Sequence, residues 1–285
     1  MDDARTIDID GVTVPRLLYG TAWKEDATER LVTLALEQGF RGFDTANQRK
    51  HYYEAGTGAA LAKAIKAGRV QRRDLFIQSK FTYRRGQDHR LPYDADAPAA
   101  VQVAQSFEKS LEHLQTDYVD SLVLHGPWTG ERLHPIDWQV WRAMEAIHKQ
   151  GRVRLLGVSN FKLDQVRLLC ARAAVKPRFV QNRCYASRGW DRDIRAFCAQ
   201  EGIRYQGFSL LTANRALVDH ALVKDIAAGH GKTPAQTVFR FALDVGMIAL
   251  TGTKDAAHMA QDLDVFDFTL TPAEIHVLEG AGTAR

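Results

Sequence analysis

Eight short apolar runs separated by amphipathic stretches constrain this chain more than any other feature of its sequence. They lie at 16–20, 41–44, 75–80, 119–125, 154–158, 178–182, 203–208 and 247–251. Short runs rich in β-branched and aromatic residues, bounded by turn or helix signals, read as buried parallel strands. Eight strand–helix alternations in 285 residues predict an α/β fold, a single closed (β/α)8 TIM barrel rather than a doubly wound open sheet.

The intervening helices have their own signals. The clearest runs from about 98 to 115, with Ala104, Phe107, Leu111 and Leu114 along one face. Others start at Thr233-Pro234, a capping Thr before Pro, and at Thr271-Pro272, where Glu274 completes a capping box. Gly56-Thr57-Gly58 comes nearest to a dinucleotide fingerprint, but it falls inside a helix pattern and reads as a close-packing site. No linker, low-complexity segment or short repeat interrupts the chain, so residues 1–285 are expected to form one domain.

Composition excludes several functions. Hydrophobic content of 45% and charged content of 25% suit a soluble protein with a full core. A net charge of +4 with interleaved signs leaves no nucleic-acid footprint. Cys170, Cys184 and Cys198 have no metal-ligand spacing and read as buried small hydrophobes in a reducing compartment. Met1-Asp2-Asp3-Ala4-Arg5 lacks the basic start and apolar stretch of a secretory signal, and no run is long enough to span a membrane. The expectation is a cytoplasmic protein with no membrane, nucleic-acid or metal partner.

The chemistry is concentrated at strand ends. Asp44, Lys80 and His125 terminate the second, third and fourth runs, at the barrel face where such folds do their chemistry. The segment after Asp44 adds phenols at Tyr52 and Tyr53. A neighbouring ammonium favours a phenolate and is expected to lower the phenol's pKa, while a carboxylate holds the ammonium in place. Asp, Tyr, Lys and His together make a proton donor with an orienting imidazole. Residues 81–97 and 126–136 are longer than the barrel requires and are expected to wall a pocket on this face. HExxH and GxSxG motifs are absent, which disfavours metalloprotease and serine-nucleophile chemistry.

These residues carry a family resemblance. Gly42-Phe43-Asp44-Thr45-Ala46, the stretch Asp117-Tyr118-Val119-Asp120-Ser121-Leu122-Val123-Leu124-His125-Gly126-Pro127, Gly157-Val158-Ser159-Asn160-Phe161 and Gly231-Lys232-Thr233-Pro234-Ala235-Gln236 resemble, in order, motifs of the aldo-keto reductase family. The resemblance covers almost the whole chain. It implies NAD(P)H-dependent reduction of an aldehyde or ketone, or the reverse alcohol oxidation, with a tyrosine as proton donor. Asp44 and Lys80 would tune that tyrosine, and His125 would orient the carbonyl. Ser159, Asn160 and Gln181 would bind the nicotinamide carboxamide, Phe208 would stack on the ring, and Ser209 and Leu211 would line the pyrophosphate. Trp23, Tyr53 and Trp128 are expected to wall the substrate pocket. A small-molecule carbonyl or alcohol is then the substrate, and a monomer or weak homo-oligomer the expected state.

The chain departs from the family pattern in four places. The family usually has its tyrosine five residues after the aspartate; here that position is Arg49, and Tyr52 is preferred because Tyr53 abuts Glu54 and the start of the helix. Thr251, Gly252, Thr253, Lys254, His258 and Asp262 occupy the segment that would hold the adenosine end. Two fixed cations common there are missing, yet Lys254, Thr253 and His258 could replace them, and NADP(H) is expected over NAD(H). Leu210 stands where a proline is common. Few residues follow Leu278, so a more open pocket and a bulky or varied carbonyl are expected. Two other functions use the same residues: a Schiff-base aldolase or lyase on Lys80, and a non-catalytic nicotinamide-nucleotide sensor subunit.

Overall fold

The eight expected strands all form, each within one residue of the expected limits, in a computed structural model that describes residues 4–282. They are β3 (Leu17–Gly20), β4 (Gly42–Asp44), β5 (Phe76–Phe81), β6 (Val119–Leu124), β7 (Val153–Ser159), β8 (Phe179–Arg183), β9 (Arg204–Phe208) and β10 (Ile248–Thr251). Every neighbouring pair is parallel, and β10 closes the barrel on β3. Residues 1–3, which include Met1-Asp2-Asp3 of the signal argument, lie outside the described residues.

An antiparallel hairpin, β1 (Thr6–Ile9) and β2 (Val12–Pro15), precedes the barrel. Its turn is Asp10-Gly11, both residues with positive φ, the two-residue geometry that matches strand twist. Ile9, Val12 and Val14 pack in one cluster with Leu18, Phe76, Leu155, Phe179 and Ile248, which plugs the N-terminal end of the barrel with an apolar layer.

Above that plug the interior becomes polar. Side chains on one strand face recur every second residue, so β5 carries Phe76, Gln78 and Lys80 inward in successive layers. Gln181 on β8 and Gln206 on β9 are paired in register and share the layer of Gln78. Asp44 and Lys80 sit at the C-terminal side of this layer.

Helices cover the outside: α1 (Thr28–Gln38), α2 (Glu54–Lys66), α3 (Ala99–Leu114), α4 (Pro135–Lys149), α5 (Leu163–Arg172) and α6 (Arg192–Gln200) follow β3 to β8 in turn. α7 (Arg215–Val218), α8 (Ala221–Gly229) and α9 (Pro234–Asp244) follow β9, and α10 (Ala256–Leu263) and α11 (Pro272–Ala281) complete the chain. The Thr233 and Thr271 hydroxyls accept from the backbone N–H of Gln236 and Glu274, as their sequence pattern predicts. The buried stripe of α3 differs by one position: Val103, Phe107, Leu111 and Leu114 face the core, and Ala104 is exposed. Gly58 is the close-packing glycine of α2. A Cβ there would lie 2.0 Å from the carbonyl oxygen of His113, at the end of α3. No described helix is long and apolar enough to cross a membrane.

Candidate active site

A cavity of about 1000 Å³ opens at the C-terminal ends of the barrel strands. It gathers Asp44, Tyr52, His125, Ser159, Asn160, Gln181, Phe208 and Ser209 with the segment Thr251–Lys254. Three of its lining residues, Trp23, Asn160 and Ser209, have φ near +60°, a left-handed conformation uncommon for residues with a Cβ. They sit just beyond β3, β7 and β9, where the chain turns sharply and keeps backbone and side chains on the cavity wall.

The deepest group is an ion pair. Lys80 Nζ donates to both carboxylate oxygens of Asp44, each at 2.7 Å, and to the carbonyl of Thr45 at 2.8 Å. An ammonium has three protons, so all its donors are used. Both residues are buried. Burial draws Lys80 below the usual lysine range, while Asp44 and Glu54 pull in the opposite direction. Saturation of the ammonium works against the use of Lys80 as a Schiff-base nucleophile.

Tyr52 lies between this pair and the imidazole. Lys80 Nζ is 5.1 Å from the centre of its ring, and His125 meets that ring edge-on at 5.8 Å. The expected lowering of the phenol pKa is not found. Burial raises it above the tyrosine value of 10.0, and Asp44 raises it further. The reason is that Lys80 reaches Tyr52 already neutralised by Asp44, so the pair presents little net positive charge and desolvation dominates. Tyr52 is therefore a protonated acid at neutral pH.

His125 follows β6, its N–H bonded to the carbonyl of Phe81, and its Nδ1 lies 2.7 Å from Thr82 Oγ1. Burial, then Lys80 and His51, hold it well below 6.5, so the ring is neutral. In the tautomer whose Nδ1 accepts from the Thr82 hydroxyl, Nε2 carries the proton and is a donor toward the cavity.

Ser159, Asn160 and Gln181, the residues expected to bind a carboxamide, all line the cavity. Asn160 Nδ2 donates to the His125 carbonyl at 2.8 Å and to Ser159 Oγ at 3.1 Å. Gln181 Nε2 donates to Asp44 at 3.0 Å and to Gln206 at 2.9 Å. Both amides thus spend their N–H donors on the protein and keep a carbonyl oxygen free, while Ser159 keeps its hydroxyl proton. Two acceptors and one donor match a primary carboxamide, which offers two N–H groups and one oxygen.

Phe208, Ser209 and Leu211 line the opposite stretch, followed by Thr251, Gly252, Thr253, Lys254, His258 and Asp262. Thr251 donates to Asp262 at 2.6 Å, and burial raises Asp262 to about 6. Lys24 was not anticipated from sequence. It is buried against this segment, bonded to the Gly252 carbonyl at 2.8 Å, and burial followed by repulsion from Lys254 lowers it to about 8.

Two expected wall residues do not line the cavity. The Tyr53 ring lies under the Arg49 guanidinium, 4.4 Å away, at the start of α2. Trp128 turns edge-on to Tyr83 at 5.1 Å, so it backs a lining residue instead of being one. Trp23 does line the cavity, stacked on His51 at 4.0 Å. His51, Gln48 and Arg85 complete that end and were missed, because nothing in a loop's composition states which way its side chains point. Gln78 was also missed, although its spacing from Lys80 on β5 signals a shared face. Among the described residues no group of three or more His, Cys, Asp or Glu side chains is arranged to hold a metal.

Comparison with known proteins agrees with this geometry. Residues 17–282 match the aldo/keto reductase family. The chain is 30% identical over 271 residues to an uncharacterized oxidoreductase, YtbE, of Bacillus subtilis, covering 94% of this chain and 89% of the relative. It is 33% identical over 285 residues to deoxymugineic acid synthase 1 of Hordeum vulgare, covering 92% and 85%. The crystal structure of an aldo/keto reductase from Brucella melitensis superposes with a TM-score of 0.79 at 27% identity, covering 96% of this chain and 98% of the other. A closed barrel with a strand-end Asp–Lys pair, a phenol and a neutral imidazole at one cavity, matched over nearly its full length, belongs to an oxidoreductase of the aldo/keto reductase family.

Proposed function

We propose that this chain is an NAD(P)H-dependent carbonyl reductase, with Tyr52 as proton donor, Lys80 and Asp44 as its support and His125 as the group that orients the carbonyl. The observation that carries this reading is the meeting of a protonated phenol, a saturated Lys–Asp pair and a neutral imidazole at one end of a single cavity. The Nε2–H of His125 holds the carbonyl oxygen beside the Tyr52 hydroxyl. As negative charge builds on that oxygen, Tyr52, still protonated beside the Lys80–Asp44 pair, releases its proton to it. When bound, the reduced nicotinamide supplies the hydride accepted by the carbonyl carbon.

The residues present fit that cofactor. Ser159, Asn160 and Gln181 present the donor and acceptors of a carboxamide-binding site, and Phe208 offers a ring for stacking. Lys254 brings positive charge to the far end of the cavity, with His258 beside it and Lys24 buried behind, which favours phosphate groups and NADP(H) over NAD(H). The substrate end, walled by Trp23, His51, Tyr83 and Arg85, suits a carbonyl compound with an aromatic or polar body.

The test is to mix the protein with NADPH or NADH and a panel of aromatic and aliphatic aldehydes and ketones, following cofactor absorbance. Oxidation dependent on protein and carbonyl, more efficient with NADPH, is expected. Failure to bind either nucleotide overturns the proposal, and tight binding without turnover over a wide panel favours a sensor.

A further inference from the structure

Beneath the cavity floor lies a hydrogen-bonded circuit, two members of which, Gln78 and Gln206, have no part in the reaction. It consists of Gln78, Gln181 and Gln206, one from each of β5, β8 and β9, all buried and all joined to Asp44 directly or through one another. Only Gln181 and Asp44 line the cavity; Gln78 and Gln206 lie below it.

The polarity of this circuit has one solution. An ionised carboxylate only accepts, so the two side chains that reach Asp44 Oδ1, Gln78 at 2.7 Å and Gln181 at 3.0 Å, must present their amide nitrogens to it. The second proton of each amide then needs an acceptor, and Gln206 Oε1 receives both, at 2.8 and 2.9 Å. Gln206 is held in that sense by its own Nε2, which donates to Gln78 Oε1 at 3.1 Å. Turning any one amide over would set nitrogen against nitrogen or oxygen against oxygen at a buried site, where an unpaired polar group is costly. What remains is one Gln206 Nε2 proton and Gln181 Oε1, and of the two only Gln181 Oε1 belongs to a side chain that opens on the cavity.

We propose that Gln206 and Gln78 are positioning residues that fix the Gln181 amide with its carbonyl toward the cavity and so select a cofactor bearing a primary carboxamide. The inference rests on the reading of the cavity as a nicotinamide site. Its content is new to that reading: the sense of the Gln181 amide is set below the ligand, by Asp44, which takes one amide proton directly, and by Gln206, which takes the other and is itself held by Gln78. Asp44 therefore serves two groups at once: Lys80 donates to both of its oxygens, and the two amides share Oδ1 with it.

The test compares binding of NADPH with binding of its reduced 3-acetylpyridine analogue, whose methyl ketone keeps the carbonyl acceptor and lacks both N–H donors. Quenching of tryptophan fluorescence gives the two Kd values without turnover. Wild-type protein is expected to prefer the carboxamide form. In Gln206→Met, which keeps volume and removes the acceptor, that preference should fall by about five- to tenfold, the loss of roughly one hydrogen bond. The change should arise from weaker binding of NADPH, with the analogue's Kd unchanged. Gln78→Met releases Gln206 from the other side and should move the ratio in the same direction; it carries the test if Gln206→Met does not fold. An unchanged ratio, or an equal loss of affinity for both nucleotides, overturns the proposal and leaves the circuit a structural feature. Equal binding of the two by wild type also overturns it while leaving the nicotinamide site intact. Binding of neither by wild type removes the parent reading, and this one with it.

Discussion

Asp44 is a buried carboxylate, and its partners decide what the surrounding residues do. It takes two of the three Lys80 protons and orders the glutamine circuit, and the neutralised pair leaves Tyr52 protonated. Lys80→Met should strand that carboxylate without its counter-ion and cost about 3–5 kcal/mol of stability, read from urea unfolding; a loss below about 1 kcal/mol would show that Asp44 does not depend on the pair. His125 sets a pH dependence. Its folded pKa lies well below the unfolded value of 6.5, so below that pH the unfolded chain binds a proton that the folded chain refuses. Stability should fall as pH drops from about 7 toward about 5, and His125→Asn should flatten that slope; an unchanged slope in the variant would assign the effect elsewhere. At this scale Asp44, Lys80 and His125 were legible because strand ends are positions a sequence marks. The raised phenol pKa was not, because sequence does not reveal that all three Lys80 protons are committed. Nor were Gln78 and Gln206, whose partners are set by register between strands far apart in the chain.

Elements were more legible than contacts. The barrel strands follow from apolar runs, and the caps at Thr233 and Thr271 from local chemistry acting within one helical turn. The β1–β2 hairpin escaped notice although its signal was present: alternating Ile7, Ile9, Val12 and Val14 around Asp10-Gly11. Gly58 shows the opposite case, a correct reading of a small residue whose partner no local pattern could name. That partner is the backbone at the end of α3, where a Cβ would meet His113 and Leu114 atoms at 2.0 and 2.6 Å. Gly58→Ala should separate α2 from α3 and destabilise by about 1–3 kcal/mol, measured as a lower midpoint in chemical denaturation. A neutral outcome would mean that the two helices slide apart freely. Because α2 begins at Glu54, directly after the tyrosine segment, the same variant should also weaken turnover.

At the level of the whole molecule, the hairpin plug, the amide layer and the charged floor stack along one barrel axis. The result is a gradient from apolar to ionic that ends at the cavity. This arrangement needs the barrel to be closed, since Asp44, Gln78, Gln181 and Gln206 come from four different strands. Fold and general chemistry were readable from strand count and strand-end residues; the direction of loop side chains was not, which is why Tyr53 and Trp128 fall outside the cavity while His51 and Arg85 fall inside. The measurement closest to the central claim is single-turnover oxidation of bound NADPH by an aldehyde in wild type, Tyr52→Phe and Tyr53→Phe. Loss of the proton donor should slow the step by about 10²–10⁴-fold in Tyr52→Phe, with nucleotide affinity kept and with Tyr53→Phe close to wild type. Full activity in Tyr52→Phe, or its loss in Tyr53→Phe alone, would contradict the assignment of Tyr52 as the acid.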